Sequence, residues 1–566
     1  MTVHGPKLKS RVAARQIRTL FATVFLLAAT TSALPPAKAE PLTHSTFKRS
    51  PKLIVLIVVD QLRSDYLTKF SSRFLPPQTA GGEMGGFNFL MNRGAYFPFA
   101  EYDTLLSLTA PGHAMLLTGA YPYQMGIPLN SGVDRTTGKS AYCADDPEAI
   151  VVGAPTGKGI SPRNLISTTV GDELKNAGFK STVVSVALKD RASVLMGGKR
   201  ADLALWFNDE HFSWTTSSFY MRPDQWPAWI NGVNQDLKKQ KGKKYSWVSK
   251  GKGSGLTINA RKEDDKEFVR DYTIGSREAL AGPLGVDITT DVAMHSVDEM
   301  KLGHGQGADI LAVSYSSHDY MGHDVGPNSR DLEEMTVYED RSISKLINHV
   351  RRRVPGGLDE VVFVLTADHG TPPLSSYLTA NRIDSARMSG SELLEKLETG
   401  LNRRFGKASG DRWFVGQQEF NFFLADAALA GASQSRKEIE DAAKDILRDV
   451  PGVAFVFSRT DVFNRTLPAG GGIERRILKS FFPARSGDVV MIPRPYYMEE
   501  GPNVIHMTGY SYDRTVPLVF AGKRFRPGVY PQKADIVDIA PTLSFLLGIV
   551  APPQNEGRVL AETLVP

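Results

Sequence analysis

Leu53-Ile-Val-Leu-Ile-Val-Val59, closed by Asp60, is an unbroken apolar run, rich in β-branched residues, that ends in a carboxylate. A strand with one face in water alternates apolar and polar residues. A run without that alternation is buried on both faces, as the strands of a parallel sheet are. Four more runs have strand character, at 182–188, 309–316, 361–367 and 515–521. Between them lie stretches with helical periodicity, such as Asn164–Ala177 and Glu333–Val350. Strands alternating with helices imply βαβ units and right-handed crossovers. The sequence therefore predicts an α/β fold, a large and mostly parallel central sheet flanked by helices, with insertions.

Two other carboxylates share the setting of Asp60. Asp368 closes Val361-Val-Phe-Val-Leu-Thr-Ala367, and Asp319 follows Ile310-Leu-Ala-Val-Ser-Tyr315. In open α/β sheets, ligands bind in the crevice outside these strand ends. His323 stands four residues beyond Asp319, and His369 is adjacent to Asp368. With Thr109 and His506 they form a set of oxygen and nitrogen donors suited to two divalent metals. Singly, each has an ordinary explanation, since an Asp after a strand often caps the next helix. Their coincidence at sheet edges in one chain favours the metal reading. His44, His211, His295, His304 and His349 lack such settings and read as surface or core residues. His113 and His318 neighbour proposed site residues and are open to either reading. The one cysteine, Cys143, rules out an intramolecular disulfide, so any zinc would be held by His and Asp.

Lys7, Lys9, Arg11, Arg15 and Arg18 precede the apolar stretch Leu20–Ala29, and Ala37-Lys-Ala39 offers a small-x-small cleavage site. Residues 1–39 thus read as a signal peptide, cleaved after Ala39, that sends the chain to the periplasm or the medium. No later run approaches the roughly 18 apolar residues of a bilayer span, so no stable membrane insertion is expected after cleavage. The leader's six cations, unopposed by any acid, account for the whole formal charge of +6. The remaining chain is balanced and has no global basic field to attract nucleic acid.

Residues 40–566 read as one catalytic domain with insertions at about 207–280 and about 375–495. The first holds four of the six tryptophans and a lysine-rich stretch, Lys238-Lys-Gln-Lys-Gly-Lys-Lys244 then Lys250-Gly-Lys-Gly-Ser-Gly, and this Gly/Lys/Ser run reads as a solvated loop. The second contains a charged helix, Ser435–Asp449, and short strands. Arg351-Arg-Arg353 before Pro355-Gly-Gly marks a helix C-terminus.

Ser107-Leu-Thr-Ala-Pro-Gly-His113 leads into the helical stretch Ala114-Met-Leu-Leu-Thr-Gly. Pro111 suits a first helical turn, which places Thr109 at a helix N-terminus where free amides favour an anion. An N-cap threonine is the common structural use of that position. Beside a metal set, the same hydroxyl is a candidate nucleophile, because a metal lowers an alcohol's pKa. Lys189 and Arg191 follow the strand Thr182–Ala187 and put two cations at the same sheet edge, either in a solvated turn or in the site.

Val-Val-Asp60-Gln-Leu-Arg, Thr109-Ala-Pro-Gly-His113, Ser-His-Asp319-Tyr-Met-Gly-His323, Thr-Ala-Asp368-His369-Gly and His506 ahead of Tyr512-Asp-x-x-Val-Pro-Leu together resemble the alkaline phosphatase superfamily. They look most like its bacterial PafA-type members, which use Thr as nucleophile. The resemblance runs from about residue 50 to the end, through Asp538-Ile-Ala-Pro-Thr542 and Gly557-Arg558. It implies two zinc ions per chain, one held by Asp319, His323 and His506, the other by Asp60, Asp368 and His369 with Thr109. It also implies a phospho-threonine intermediate, and contacts from Lys189, Arg191 and Asn130 to the phosphoryl oxygens. A monoester dianion pairs all three groups, whereas a diester leaves donors poorly matched. The expected substrates are small phosphate monoesters, with a monomer favoured. The alternative is a phosphodiesterase or nucleotide pyrophosphatase, which normally lacks the Lys-x-Arg clamp. A sulfatase is disfavoured because no Cys/Ser-x-Pro-x-Arg motif occurs. The complete set of nucleophile, ligands and clamp argues against a non-catalytic zinc-binding relative.

Overall fold

The computed structural model describes residues 50–250, 267–468, 470 and 472–565. The leader reading of 1–39, its cleavage site, His44 and the glycine-lysine run after Lys250 lie outside the described residues. Every residue of β1 (Leu53–Val59) is buried. It lies within a ten-stranded sheet whose other strands are β2 (Gly94–Glu101), β3 (Val151–Val152), β4 (Val183–Ala187), β5 (Leu203–Asn208), β6 (Ser213–Ser217), β7 (Asp309–Tyr315), β8 (Val361–Thr366), β9 (Thr515–Ala521) and β10 (Gly528–Val529). Their spatial order is β10-β2-β9-β8-β1-β7-β4-β5-β6-β3.

The centre, β8-β1-β7-β4-β5, is all parallel. In its ladder Val58 is level with Ser314 and Thr366, so the residues just beyond β1, β7 and β8 emerge at one edge. The flanks run otherwise. The stretch 515–521 is a strand, as read, but β9 lies antiparallel to both β8 and β2. The chain between β8 and β9 is a long excursion with its own sheet, not a single crossover helix, which frees β9 from the parallel rule. Sequence reading passed over β2 because Pro98 interrupts it. Its register against β9 slips between the Val516–Ala100 and Leu518–Phe97 pairs, so Pro98 falls in a bulge, where it costs no ladder bond.

The helix read at Asn164–Ala177 is shorter, Val170–Asn176, because a capping box between Thr169 and Asp172 starts it there. The lysine-rich 238–244 segment is not a loop. Lys238 and Lys239 close the helix Ala228–Gln240, which buries Ile230, Asn234 and Leu237, and Lys244 opens a strand. Among the described residues no helix is long and apolar enough to cross a membrane.

Four helices carry or support the site: α1 (Thr109–Thr118), α2 (Asp190–Gly197), α3 (Ser317–Val325) and α4 (Arg330–Arg353). All ten residues of α1 are buried. A second, four-stranded sheet is made of Phe414–Gln418, Asn421–Leu424, Val453–Ser458 and Val489–Pro493. Its apolar cluster, including Leu397, Phe422 and Ile439, also takes in Leu108, Leu129 and Met507. Those three residues adjoin Thr109, Asn130 and His506 in sequence, so this layer presses on the site from behind.

Candidate active site

Asp60 leaves the end of β1, Asp368 lies two residues beyond β8, and Asp319 falls in the first turn of α3. His323, one helical turn on, shares the face of Asp319. The ligand atoms form two groups, Asp319 with His323 and His506, and Asp60 with Asp368 and His369, each within 4.8 Å. In the first, Asp319 Oδ1 lies 3.2 Å from His323 Nε2 and 3.3 Å from His506 Nε2. In the second, His369 Nε2 lies 3.2 Å from Asp368 Oδ2 and 3.5 Å from Asp60 Oδ1. The His369 and His506 rings stack with centroids 3.4 Å apart, so the groups adjoin.

Both groups fit divalent cations. The Nδ1 atoms of His323, His506 and His369 donate to the carbonyls of Val504 (2.6 Å), Ser107 (2.8 Å) and Gly370 (3.0 Å). A carbonyl only accepts, so in the neutral imidazoles the proton sits on Nδ1 and Nε2 faces the carboxylates. Burial works to lower the His323 pKa, but Asp319 outweighs it and raises it, so that ring gives up its Nε2 proton when a cation takes its place. Asp60 Oδ1, Asp368 Oδ2 and His369 Nε2 are buried without a hydrogen-bond partner. Three electron-rich atoms turned toward one another in the interior repel unless a cation joins them. Electrostatics agree. Burial pushes the His369 imidazole down to about 3 and lowers His506 as well, so both are neutral at physiological pH, as ligands must be. Burial and Asp368 push the Asp60 carboxyl well above its ordinary range, against the pull of Lys189. Burial works to raise Asp319 also, but His323 and Lys189 outweigh it and hold that carboxyl well below the ordinary range.

Thr109 is the first residue of α1, and the N-cap position belongs to Leu108, with no side-chain cap bond. The capping role is therefore excluded and the hydroxyl has no structural duty there. Its Oγ1 lies 3.4 Å from both Lys189 Nζ and Arg191 Nη2. Beyond Thr109 itself, the backbone of the first turn is accounted for. Ala110 N–H donates to Asn130 Oδ1 (2.8 Å), Pro111 has no N–H, and Gly112 N–H donates to Leu108 O (2.9 Å). Lys189 and Arg191 add side-chain cations to whatever the first-turn backbone offers beside Thr109. The bond from Ala110 also orients Asn130, leaving its Nδ2 as the free donor end. Lys189 is buried, with Nζ 2.6 Å from Asp60 Oδ2 and 2.5 Å from Asp319 Oδ2, a carboxylate from each group. Burial works to lower its pKa, and these two carboxylates raise it above the ordinary lysine value.

The structure separates the two open histidines. His318 pairs with Glu339 of α4 at 2.8 Å, away from the ligand sets. His113 reaches the site, with Nδ1 donating to Thr109 O (2.9 Å) and lying 3.2 Å from Asp368 Oδ2, and Nε2 bonded to Ser314 Oγ (2.8 Å).

Three supporting residues escaped sequence reasoning. Gln61 donates to carboxylates in both groups. Asp513 Oδ2 accepts from the backbone of Met507 (3.2 Å) and Thr508 (2.9 Å), fixing the loop that bears His506. Gly112 lets α1 lie against Asp368, where a Cβ would come 2.4 Å from the Asp368 carbonyl oxygen. Gly112→Ala is expected to destabilise the fold by about 1–3 kcal/mol, as overpacking does. Because the displaced residue belongs to one of the two donor groups, any metal held there should be lost with it. Thermal denaturation with elemental analysis checks both, and parent-like values in each would disprove the close fit.

The profile of the type I phosphodiesterase / nucleotide pyrophosphatase family matches residues 54–501. The chain is 31% identical over 540 residues to alkaline phosphatase PafA of Elizabethkingia meningoseptica, covering 91% of this chain and 94% of that one. It is 30% identical over 549 residues to alkaline phosphatase PhoV of Synechococcus elongatus, covering 93% and 96%. Among solved structures, that of wild-type alkaline phosphatase PafA superposes with a TM-score of 0.80 at 28% identity, over 91% of this chain and 99% of the other.

Proposed function

The chain belongs to the type I phosphodiesterase / nucleotide pyrophosphatase family of the alkaline phosphatase superfamily and is a hydrolase, and we propose that it is an exported, zinc-dependent phosphate monoesterase acting through Thr109. One observation carries this reading: a threonine hydroxyl with no structural bond of its own, flanked at 3.4 Å by a lysine and an arginine. Two divalent cations, zinc by the imidazole content of the donors, would be held by Asp319, His323 and His506 and by Asp60, Asp368 and His369 with Thr109, and when bound they supply Lewis-acid stabilisation of charge on oxygen and lower the hydroxyl's pKa.

The remaining steps belong to the chain's own groups. Thr109 Oγ1 attacks phosphorus, the P–O bond to the leaving alcohol breaks, and the phosphoryl group passes to threonine. Water then displaces it, giving inorganic phosphate and restoring the hydroxyl. Arg191, Lys189 and the Asn130 Nδ2 donate to the non-bridging oxygens throughout. Three donors match the three free oxygens and double charge of a monoester. A diester offers one charge fewer and one oxygen blocked, leaving a donor unpaired. Diester hydrolysis is the second reading, favoured by the matching family profile. Measuring kcat/KM for a monoester and a diester of one leaving group decides between them, and a faster diester reaction would reverse the assignment. Export is supported by the leader-like residues 1–39.

Dialysis against a strong chelator is expected to abolish activity, with zinc restoring it better than magnesium because imidazoles suit zinc. Elemental analysis should find two zinc atoms per chain. One atom, or full activity in chelator, would contradict the two-metal reading.

A further inference from the structure

We propose that Gln61 is a positioning residue that fixes the two ligand groups relative to one another, an inference that rests on the metal-site reading above. Its backbone N–H donates to Asp368 Oδ1 at 3.1 Å, and its Nε2 donates to Asp319 Oδ1 at 2.7 Å. One fully buried residue, adjacent in sequence to Asp60, thus holds a carboxylate of each group. Lys189 spans both groups too, but its proposed duty turns it toward a phosphoryl group, whereas Gln61 has no such second task.

Stability alone does not account for a glutamine here. Its backbone lies in the left-handed region at φ +70°, which favours glycine and disfavours other residues. Its Oε1 is buried without a hydrogen-bond partner, a further cost. Space for the amide comes from Gly322, where a Cβ would fall 1.9 Å from Gln61 Oε1. Gly322 directly precedes His323, so the turn carrying one ligand is shaped around this side chain. Left-handed backbone, an unpaired oxygen and a matching glycine are all explained if the Nε2 bond to Asp319 is what the position supplies. The amide also suits the charge. It donates to a carboxylate, while a glutamate would add another negative charge beside Asp319 and Asp368.

Gln61→Gly separates positioning from stability. Glycine accepts the left-handed backbone and removes the unpaired oxygen, so the metal-free variant should melt at or above the parent's temperature. Its zinc affinity, read by competition with a chromogenic chelator, should fall about ten- to a hundred-fold, as loss of a bond that orients a ligand does. At limiting zinc kcat should drop with little change in KM, and excess zinc should recover part of it. Gln61→Glu should lower zinc affinity further. Parent-like zinc affinity in Gln61→Gly overturns the proposal, and so does a melting temperature well below the parent's or failure to fold, either of which makes the residue structural. A parent that takes up no zinc overturns the metal-site reading as well. Two zinc ions in the parent with equal affinity in the variant overturns this inference alone.

Discussion

Thr109→Ala is expected to reduce turnover by orders of magnitude while leaving fold and metal content close to the parent's. The hydroxyl makes no cap bond, and removing a small polar side chain from the start of a helix whose N-cap is Leu108 disturbs little. The chemistry has no substitute for it, because it is the hydroxyl that lies against both Lys189 and Arg191. Thr109→Ser keeps the oxygen and should retain substantial activity. Single-turnover assays at saturating zinc make the check, and a fast Ala variant would exclude a phospho-threonine.

Joint replacement of Lys189 and Arg191 by Ala should cost the monoester reaction orders of magnitude in kcat/KM and the diester reaction far less. Contacts of this kind in a preorganised site contribute roughly 2–4 kcal/mol each to transition-state stabilisation. Lys189 needs a control, since it also neutralises Asp60 and Asp319, and its loss leaves two buried carboxylates without their ammonium. Arg191→Ala alone isolates the substrate effect, because its side chain bonds Thr109 and Tyr142 and none of Asp60, Asp319 and Asp368. Equal losses on both esters in that single variant would show that the clamp does not read substrate charge.

Parts of this were legible in the sequence for a physical reason. Strands β1, β7 and β8 are buried on both faces, so their residues are almost continuously apolar, and the acids that follow stand out. What tertiary contacts decide was not legible. The direction of β9 depends on the path of 367–514, and β2 survives Pro98 only through a bulge against β9. His506 was read into the donor set, but what holds it there was not legible. Its orientation comes from the carbonyl of Ser107, about 400 residues away, and from a loop tied down by Asp513. His113 and His318 look alike in sequence, and only packing shows one bonded to Thr109 and the other held by Glu339. Gln61 was quoted within the Asp60 motif, but its left-handed backbone and its bonds to Asp319 and Asp368 are tertiary features that the motif does not express. Asn130 was reached by resemblance, and its bond to Ala110 supplies the physical reason for its orientation.

Leu108, Leu129 and Met507 belong to the apolar cluster of the second sheet, though each neighbours a site residue in sequence. The candidate site is therefore a seam between two apolar layers: the strands of the parallel sheet lead into Asp60, Asp319 and Asp368, and the second layer backs Thr109, Asn130 and His506. Partial opening of that layer, well short of global unfolding, would disable the proposed reaction while Asp60, Asp319 and Asp368 stayed in place. The temperature at which the protein stops working can in this way lie below the temperature at which it melts, and substitutions far from the crevice, on the buried side of Leu397 or Phe422, become handles on its operating range.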